Sequence, residues 1–134
     1  MADNELIFKS ASELGPLIRR KQVSPVELVE AYLQRSEALN PKLNAYITIT
    51  RDSALDRAKQ AEKDIQAGKY RGPLHGIPYA PKDILATKGI RTTNGSKVTA
   101  DWIPPYESTI TDRLNKAGAI LIGKWVCPSY RTVT

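Results

Sequence analysis

Residues 71–96, RGPLHGIPYAPKDILATKGIRTTNGS, hold the side chains best placed to do chemistry, and Lys82 stands at their centre. Pro73, Pro78 and Pro81 forbid a helix there, because each lacks a backbone donor and pushes the residue before it towards an extended conformation. In an extended ribbon Ile77, Tyr79 and Pro81 share one side, and Pro78, Ala80 and Lys82 the other. Lys82 is therefore expected beside small or apolar neighbours, with Asp83 pointing away. An ammonium held against apolar surface loses hydration, its pKa falls, and the neutral amine becomes a base near neutral pH. Spacing by itself does not separate such a base from an ordinary exposed lysine, the commoner state of this residue type.

The other polar side chains nearby carry weaker signals. Thr92-Thr93-Asn94-Gly95-Ser96 is a run of turn residues and hydroxyls, and turn chemistry accounts for it without any ligand. His75, the one histidine, lies in a Gly-Pro-rich turn, where a structural role is the simpler reading. Cys127 is the one cysteine, so an internal disulfide framework is ruled out, a reducing compartment fits, and the thiol reads as incidental.

These residues must be positioned by the elements around them. A first helical pattern begins near Ser10 or Ser12, with Ala11, Leu14, Leu17 and Ile18 on one face. Pro16 interrupts it, so either the first turn is loose or the helix proper begins at the proline. Ser24-Pro25-Val26-Glu27 is a cleaner start, with a capping serine, proline at the first helical position and a glutamate able to close a capping box. That helix carries Leu28, Ala31, Tyr32, Arg35 and Leu39, and Asn40-Pro41 is expected to stop it. Residues 45–50, AYITIT, alternate and are β-branched, so they read as a strand. Ala54, Leu55, Ala58, Ala61 and Ile65 line a further helix with a charged outer face, ended by Gly68. Between 106 and 117, Ile110, Leu114 and Ala117 predict a short helix closed by Gly118, and residues 119–122, AILI, then read as a fully buried strand. Helix, tight turn and buried strand together make an α/β unit.

With 134 residues, 41% hydrophobic and 25% charged, the chain has the composition of one small globular domain. The start MADNELIFKS has early acids and no apolar run long enough for a signal peptide, and no later stretch approaches a membrane span, so the expectation is a cytoplasmic protein. The formal net charge of +6 invites a nucleic-acid reading. The basic residues, however, are interleaved with acids, as in RDSALDRAKQAEKD. Their one cluster, Arg19, Arg20 and Lys21, sits at a helix end where the macrodipole favours cations, and no aromatic residues alternate with it as a stacking surface.

GPLHGIPYAPKD, followed by GIRTTNGS and STITDRLNKAGAILIGK, resembles the N-terminal part of the amidase signature family, over roughly residues 10–124. The resemblance implies an α/β fold in which N-terminal helices precede the first strands and helices of a mixed-sheet α/β/α architecture, here incomplete. It implies amide C–N cleavage by a Ser, cis-Ser, Lys triad on a small-molecule amide substrate, with Lys82 as the base, Thr93 and Ser96 near the substrate cavity, and no cofactor or metal. The family's serines belong to a segment typically reading Gly-Ser-Ser-Gly-Gly, which these residues do not contain; neither Ser96 nor Ser129 replaces it. The chain is thus expected to be one incomplete segment: helices over 1–44, an α/β part with the lysine over 45–124, and a divergent tail over 125–134 in which Pro128 would break a helix. Cleavage by the segment alone is not expected. Within the family, simple amidases, amide-lipid hydrolases and the amidase subunit of an aminoacyl-tRNA amidotransferase share this stretch.

The missing serines leave a second reading, a non-catalytic interaction or regulatory paralogue of a full-length amidase, against which the retained Lys82 argues. A piece that completes another chain's serines and a small nucleic-acid binder are weaker readings. On the resemblance, the strand at 119–122 is expected at an open sheet edge, exposing backbone and apolar groups that favour self-association or a partner subunit. The corresponding prediction is an oligomeric or weakly stable isolated chain; a sharp, monomeric unfolding transition in sedimentation and calorimetry would count against it.

Overall fold

The computed structural model describes residues 3–127, so of the expected tail only residues 125–127 are described, and Pro128 and Ser129 lie outside the described residues. α1 (Asp3–Leu6) is a single turn that delivers Leu6 to the core. α2 (Ala11–Arg19) starts from Ser10: its Oγ accepts from Glu13 N at 3.3 Å, and Glu13 Oε2 accepts from Ser10 N at 2.7 Å. Pro16 lies inside this helix, contrary to the expectation that the helix is loose before it or begins there. With the first turn capped reciprocally, the proline removes only the bond to the carbonyl of Ser12, an exposed residue whose oxygen water can reach.

α3 (Pro25–Leu43) begins as its sequence indicates, with Ser24 Oγ accepting from Val26 N at 3.1 Å and Glu27 N at 3.3 Å. The same hydroxyl donates to Glu62 on the next long helix, tying the two together. Asn40-Pro41 does not stop α3. Asn44 N still reaches Asn40 O at 2.8 Å, and the helix closes only at Asn44, in the left-handed region at φ 48°. Asn40 instead clamps the strand beyond the helix, accepting from Tyr46 N at 2.8 Å and donating to Tyr46 O at 3.1 Å.

β1 (Tyr46–Ile49) leads into α4 (Arg51–Gln66), whose apolar stripe is made of small residues, Ala54, Ala58 and Ala61 with Ile65. Small side chains let α4 lie close to α3 and to the sheet. Val29 and Leu33 of α3 meet those alanines together with Ile120 and Ile122 in one core cluster, while Leu6, Leu14, Ile18, Val23, Leu28, Ile65 and Ile77 form the other. None of the described helices is long and apolar enough to cross a membrane.

The remaining elements are β2 (Pro78–Tyr79), a single 3-10 turn at Lys97–Thr99, α5 (Thr109–Lys116), β3 (Ile120–Leu121) and β4 (Gly123–Trp125). β2 and β3 are parallel, pairing Pro78 with Ile120 and Tyr79 with Leu121; β1 and β4 are antiparallel, pairing Tyr46 with Trp125, Thr48 with Lys124 and Ile49 with Gly123. The parallel pairing continues beyond β2, through Trp125 N to Pro81 O at 3.0 Å and Asp83 N to Trp125 O at 2.8 Å. Pro81 has no donor for the strand beside it, and at that level Ile122 O accepts from Thr50 N at 3.0 Å instead.

Residues 119–122 are therefore not an open edge, which corrects the expectation from sequence. Ile120 N bonds Ile77 O on one side, the Thr50 bond closes the other, and the four residues are 1–3% exposed. β1 and the 77–83 ribbon flank this central strand within the chain itself. The ribbon carries a proline, Pro78, whose missing donor is characteristic of edge strands.

α5 ends at Gly118, whose φ of 85° lies in the left-handed region and whose Cα faces the His75 ring so closely that a Cβ would come within 2.5 Å of Cδ2. Gly68, at φ 80°, ends α4, and a Cβ added there would meet nothing within 4 Å. Gly68→Ala is expected to cost about 1–2 kcal/mol for the left-handed backbone alone. Gly118→Ala adds overpacking and is expected to lose about 2–5 kcal/mol in all. Urea unfolding of both variants checks this, and equal losses would show that the His75 contact contributes nothing.

Candidate active site

Lys82 lies near the end of the ribbon, where it pairs in parallel with Trp125 beyond β2. Its backbone neighbours are both held by one residue of the adjacent strand, since Pro81 O accepts from Trp125 N and Asp83 N donates to Trp125 O. The alternation read from sequence holds, but the burial is reversed. Ile77, Pro81 and Asp83 occupy the buried side; Lys82 is exposed and Asp83 is 0% exposed. The reversal has a physical cause: a buried carboxylate is tolerated only where a cation and hydrogen-bond donors meet it, and β4 supplies the cation.

That cation is Lys124, also 0% exposed. Its Nζ donates to Leu85 O at 2.8 Å, Thr87 Oγ1 at 2.9 Å and Thr92 Oγ1 at 2.8 Å, and lies 3.6 Å from Asp83 Oδ1. The last is a charge contact, longer than a hydrogen bond. The other carboxylate oxygen, Asp83 Oδ2, accepts from Thr93 N at 3.0 Å and from the Thr93 hydroxyl. Burial pushes the Lys124 ammonium below its ordinary value, opposed by the Asp83 charge and, less strongly, by Glu107.

The candidate pocket residues take part in this frame. Thr93 is 4% exposed; besides bonding Asp83, its Oγ1 accepts from Gly95 N at 3.1 Å and its carbonyl accepts from the Thr99 hydroxyl. Ser96 is half-buried and starts the 3-10 turn, with Oγ accepting from Val98 N at 3.2 Å. Asn94, at φ 53°, and Gly95, at φ 70°, make the tight reversal between them, and Asn94 N closes back onto Asp83 O at 3.0 Å. The structure thus brings Asp83 and Thr93 into contact and places Lys82 on the opposite side of the ribbon.

His75 is 2% exposed, and its Nδ1 accepts from Arg71 N at 3.1 Å. Burial, and then the Arg71 charge, hold its pKa below the usual value. With Gly118 against its ring, His75 packs the start of the parallel pair. A cleft of about 220 Å³ beside it, lined by Arg57, Asp64, Arg71 and Asn115, lies at the beginning of β2 and β3, whereas Lys82 stands at their far end. Among the described residues no three or more His, Cys, Asp or Glu side chains are grouped to hold a metal ion.

Lys124 went unrecognised in the sequence, although a signal was present. It comes one glycine after a run of buried residues, within the same extended stretch, and Asp83, Thr87 and Thr92 are the acceptors that a lysine carried into the core would need.

The sequence profile of the Amidase family matches residues 27–132, a span that runs past Lys124. The chain is 48% identical over 120 residues to a glutamyl-tRNA(Gln) amidotransferase subunit from Geobacter metallireducens, covering 90% of this chain and 24% of that protein. The native peptide amidase of Stenotrophomonas maltophilia superposes with a TM-score of 0.82 at 32% identity, over 88% of this chain and 24% of that one. A fatty acid amide hydrolase superposes with a TM-score of 0.88 at 28% identity, over 94% of this chain and 22% of the other. The chain spans about a quarter of the length of the curated relatives it matches. With the lysine ribbon, the helix-to-strand unit ending in Gly123-Lys124 and a profile match over most of its length, the chain belongs to the amidase signature family and has the architecture of that fold's N-terminal part.

Proposed function

We propose that this chain is the lysine-bearing part of an enzyme that cleaves or transfers amide C–N bonds, with Lys82 as the base of a Ser, cis-Ser, Lys triad. The observation that carries the reading is the position of Lys82. It comes directly after Pro81 in the GIPYAPKD run, and the backbone on both sides of it is held by Trp125. A proton acceptor must be held in a set direction, and a strand end pinned at both neighbouring residues provides that.

The names of the relatives point to the same bond type. One is an amidotransferase subunit, one a peptide amidase and one a fatty acid amide hydrolase, so an amide is their common substrate class. In the proposed reaction neutral Lys82 takes a proton through the cis-serine from the nucleophilic serine, which attacks the amide carbonyl. The tetrahedral oxyanion is steadied by backbone donors, the C–N bond breaks as the relay returns the proton to the departing nitrogen, and water or an amine acceptor releases the acyl group. Residues 1–134 contain no Gly-Ser-Ser-Gly-Gly segment, so both serines come from outside them. Lys82 is exposed among the described residues, and in this reading the segments that carry the serines pack over it.

The test is a chimera in which this chain replaces the matching 120-residue segment of the Geobacter metallireducens amidotransferase subunit, with the enzyme otherwise assembled as usual. It is expected to transfer an amide onto glutamyl-tRNA(Gln), and Lys82→Ala to lower kcat by about 10²–10⁴-fold, the range of general-base catalysis. The 134-residue chain alone is expected to form no acyl-enzyme. A folded chimera that is equally active with alanine at position 82 would refute the assignment of Lys82.

A further inference from the structure

We propose that Lys124 is a positioning residue for Lys82, acting through Asp83: the buried ammonium holds the carboxylate next to Lys82 in the chain, and with it the backbone that aims Lys82. The proposal rests on the reading of Lys82 as a base and adds the group that orients it.

The geometry is a clamp between two dipeptides. Lys82-Asp83 and Lys124-Trp125 face each other, joined by a backbone leg, Asp83 N to Trp125 O at 2.8 Å, and by a side-chain leg, Lys124 Nζ to Asp83 Oδ1 at 3.6 Å. The backbone bonds to Trp125, from Pro81 O and from Asp83 N, hold the ribbon along its axis, and the charged contact adds a restraint off that axis, on the side chain next to Lys82.

Lys124 also fastens the loop beyond the ribbon. Immediately after Asp83 the chain leaves the sheet, and Lys124 captures it at Leu85 O, Thr87 Oγ1 and Thr92 Oγ1. Thr93 then turns it back onto Asp83 Oδ2, and Asn94 N onto Asp83 O. The loop 84–95 is thus closed onto both the side chain and the backbone of Asp83, around one ammonium. With both charged side chains 0% exposed, no solvent is at hand to replace a missing partner.

The residue type is specific to this task. All three ammonium protons are used, on one carbonyl and two hydroxyls, while the charge is balanced by Asp83, with Glu107 as the other acid acting on it. A methionine of similar length would fill the space and hold none of the three segments.

The test uses the same full-length chimera, with folded fraction and turnover measured on the same preparations. Lys124→Met is expected to lower kcat roughly hundredfold per folded molecule, the order reached when a reacting group is displaced by about 1 Å. KM is expected to move less than kcat, because Thr93, the candidate pocket residue on this loop, keeps its own bonds to Asp83 when Lys124 is replaced. Lys124→Met strands the Asp83 carboxylate, so a second variant, Asp83→Asn/Lys124→Met, removes both charges and is expected to show the same kcat loss, with KM again moving less than kcat. Parental kcat per folded molecule in either variant, or a rise in KM at constant kcat, would overturn the proposal. Lys82→Ala in the same chimera separates the two claims: a loss there with parental kcat in the Lys124 variants refutes only the positioning role, whereas full activity of Lys82→Ala refutes the base itself.

Discussion

An ammonium group taken out of water must find its hydrogen-bond acceptors and its counter-charge inside the protein, and the region around Lys82 is arranged to satisfy that demand for Lys124. Removing an ion from water costs several kcal/mol even after relaxation, and the attraction of its partner offsets this only with good geometry and with the remaining donors satisfied. Leu85, Thr87, Thr92 and Asp83 meet both conditions, and they lie 32 to 41 residues before Lys124 in the chain. The path of the loop after Lys82 is set by that need, since each acceptor must arrive at the same nitrogen.

Proline placement decides how the sheet can deliver Lys124 to that point. Pro81 offers no donor to the central strand, and the carbonyl of Ile122 turns to Thr50 instead. The strand therefore changes partners between β3 and β4, from the 77–83 ribbon alone to the ribbon and β1 together. Gly123 marks the change: a Cβ there would meet Thr48 O at 2.6 Å and the Tyr46 ring at 2.7 Å, so the two backbones approach more closely than any side chain permits. The next residue, Lys124, enters the core, and Trp125 returns to pair with Pro81 and Asp83.

Much of this was legible in the chain. Ser24-Pro25 gave the start of α3, the alanine stripe gave α4, AYITIT gave β1, and period-two alternation separated Lys82 from Asp83. What local rules missed came from competing contacts. Pro16 and Pro41 each lie inside a helix because a capping box or an asparagine clamp secures the turns around them. Residues 119–122 were expected at an open edge because the resemblance implies pairing with later segments, whereas Ile77 and Thr50, both earlier in the chain, flank them. The burial of the two ribbon faces was inverted because alternation says which residues share a face, not which face is inward. That choice was made by a lysine 41 positions after Asp83, through long-range packing that no window around Lys82 contains.

The two lysines also show why a depressed pKa does not by itself identify a base. Burial lowers the pKa of Lys124, and on that ground alone it would be the stronger candidate. A base, however, must have a lone pair directed at the proton it receives. Every N–H of Lys124 is donated, to one carbonyl and two hydroxyls, and deprotonation would give up one of these bonds and leave Asp83 without its counter-charge. The network therefore favours the ammonium. Lys82 has the opposite character, exposed in side chain and held only through the backbone of its neighbours, so its nitrogen remains open to a proton donor approaching from the uncovered side. One lysine is fixed by three hydrogen bonds and a counter-charge, whereas the other is exposed, and that exposure is what the proposed role of Lys82 as a base requires.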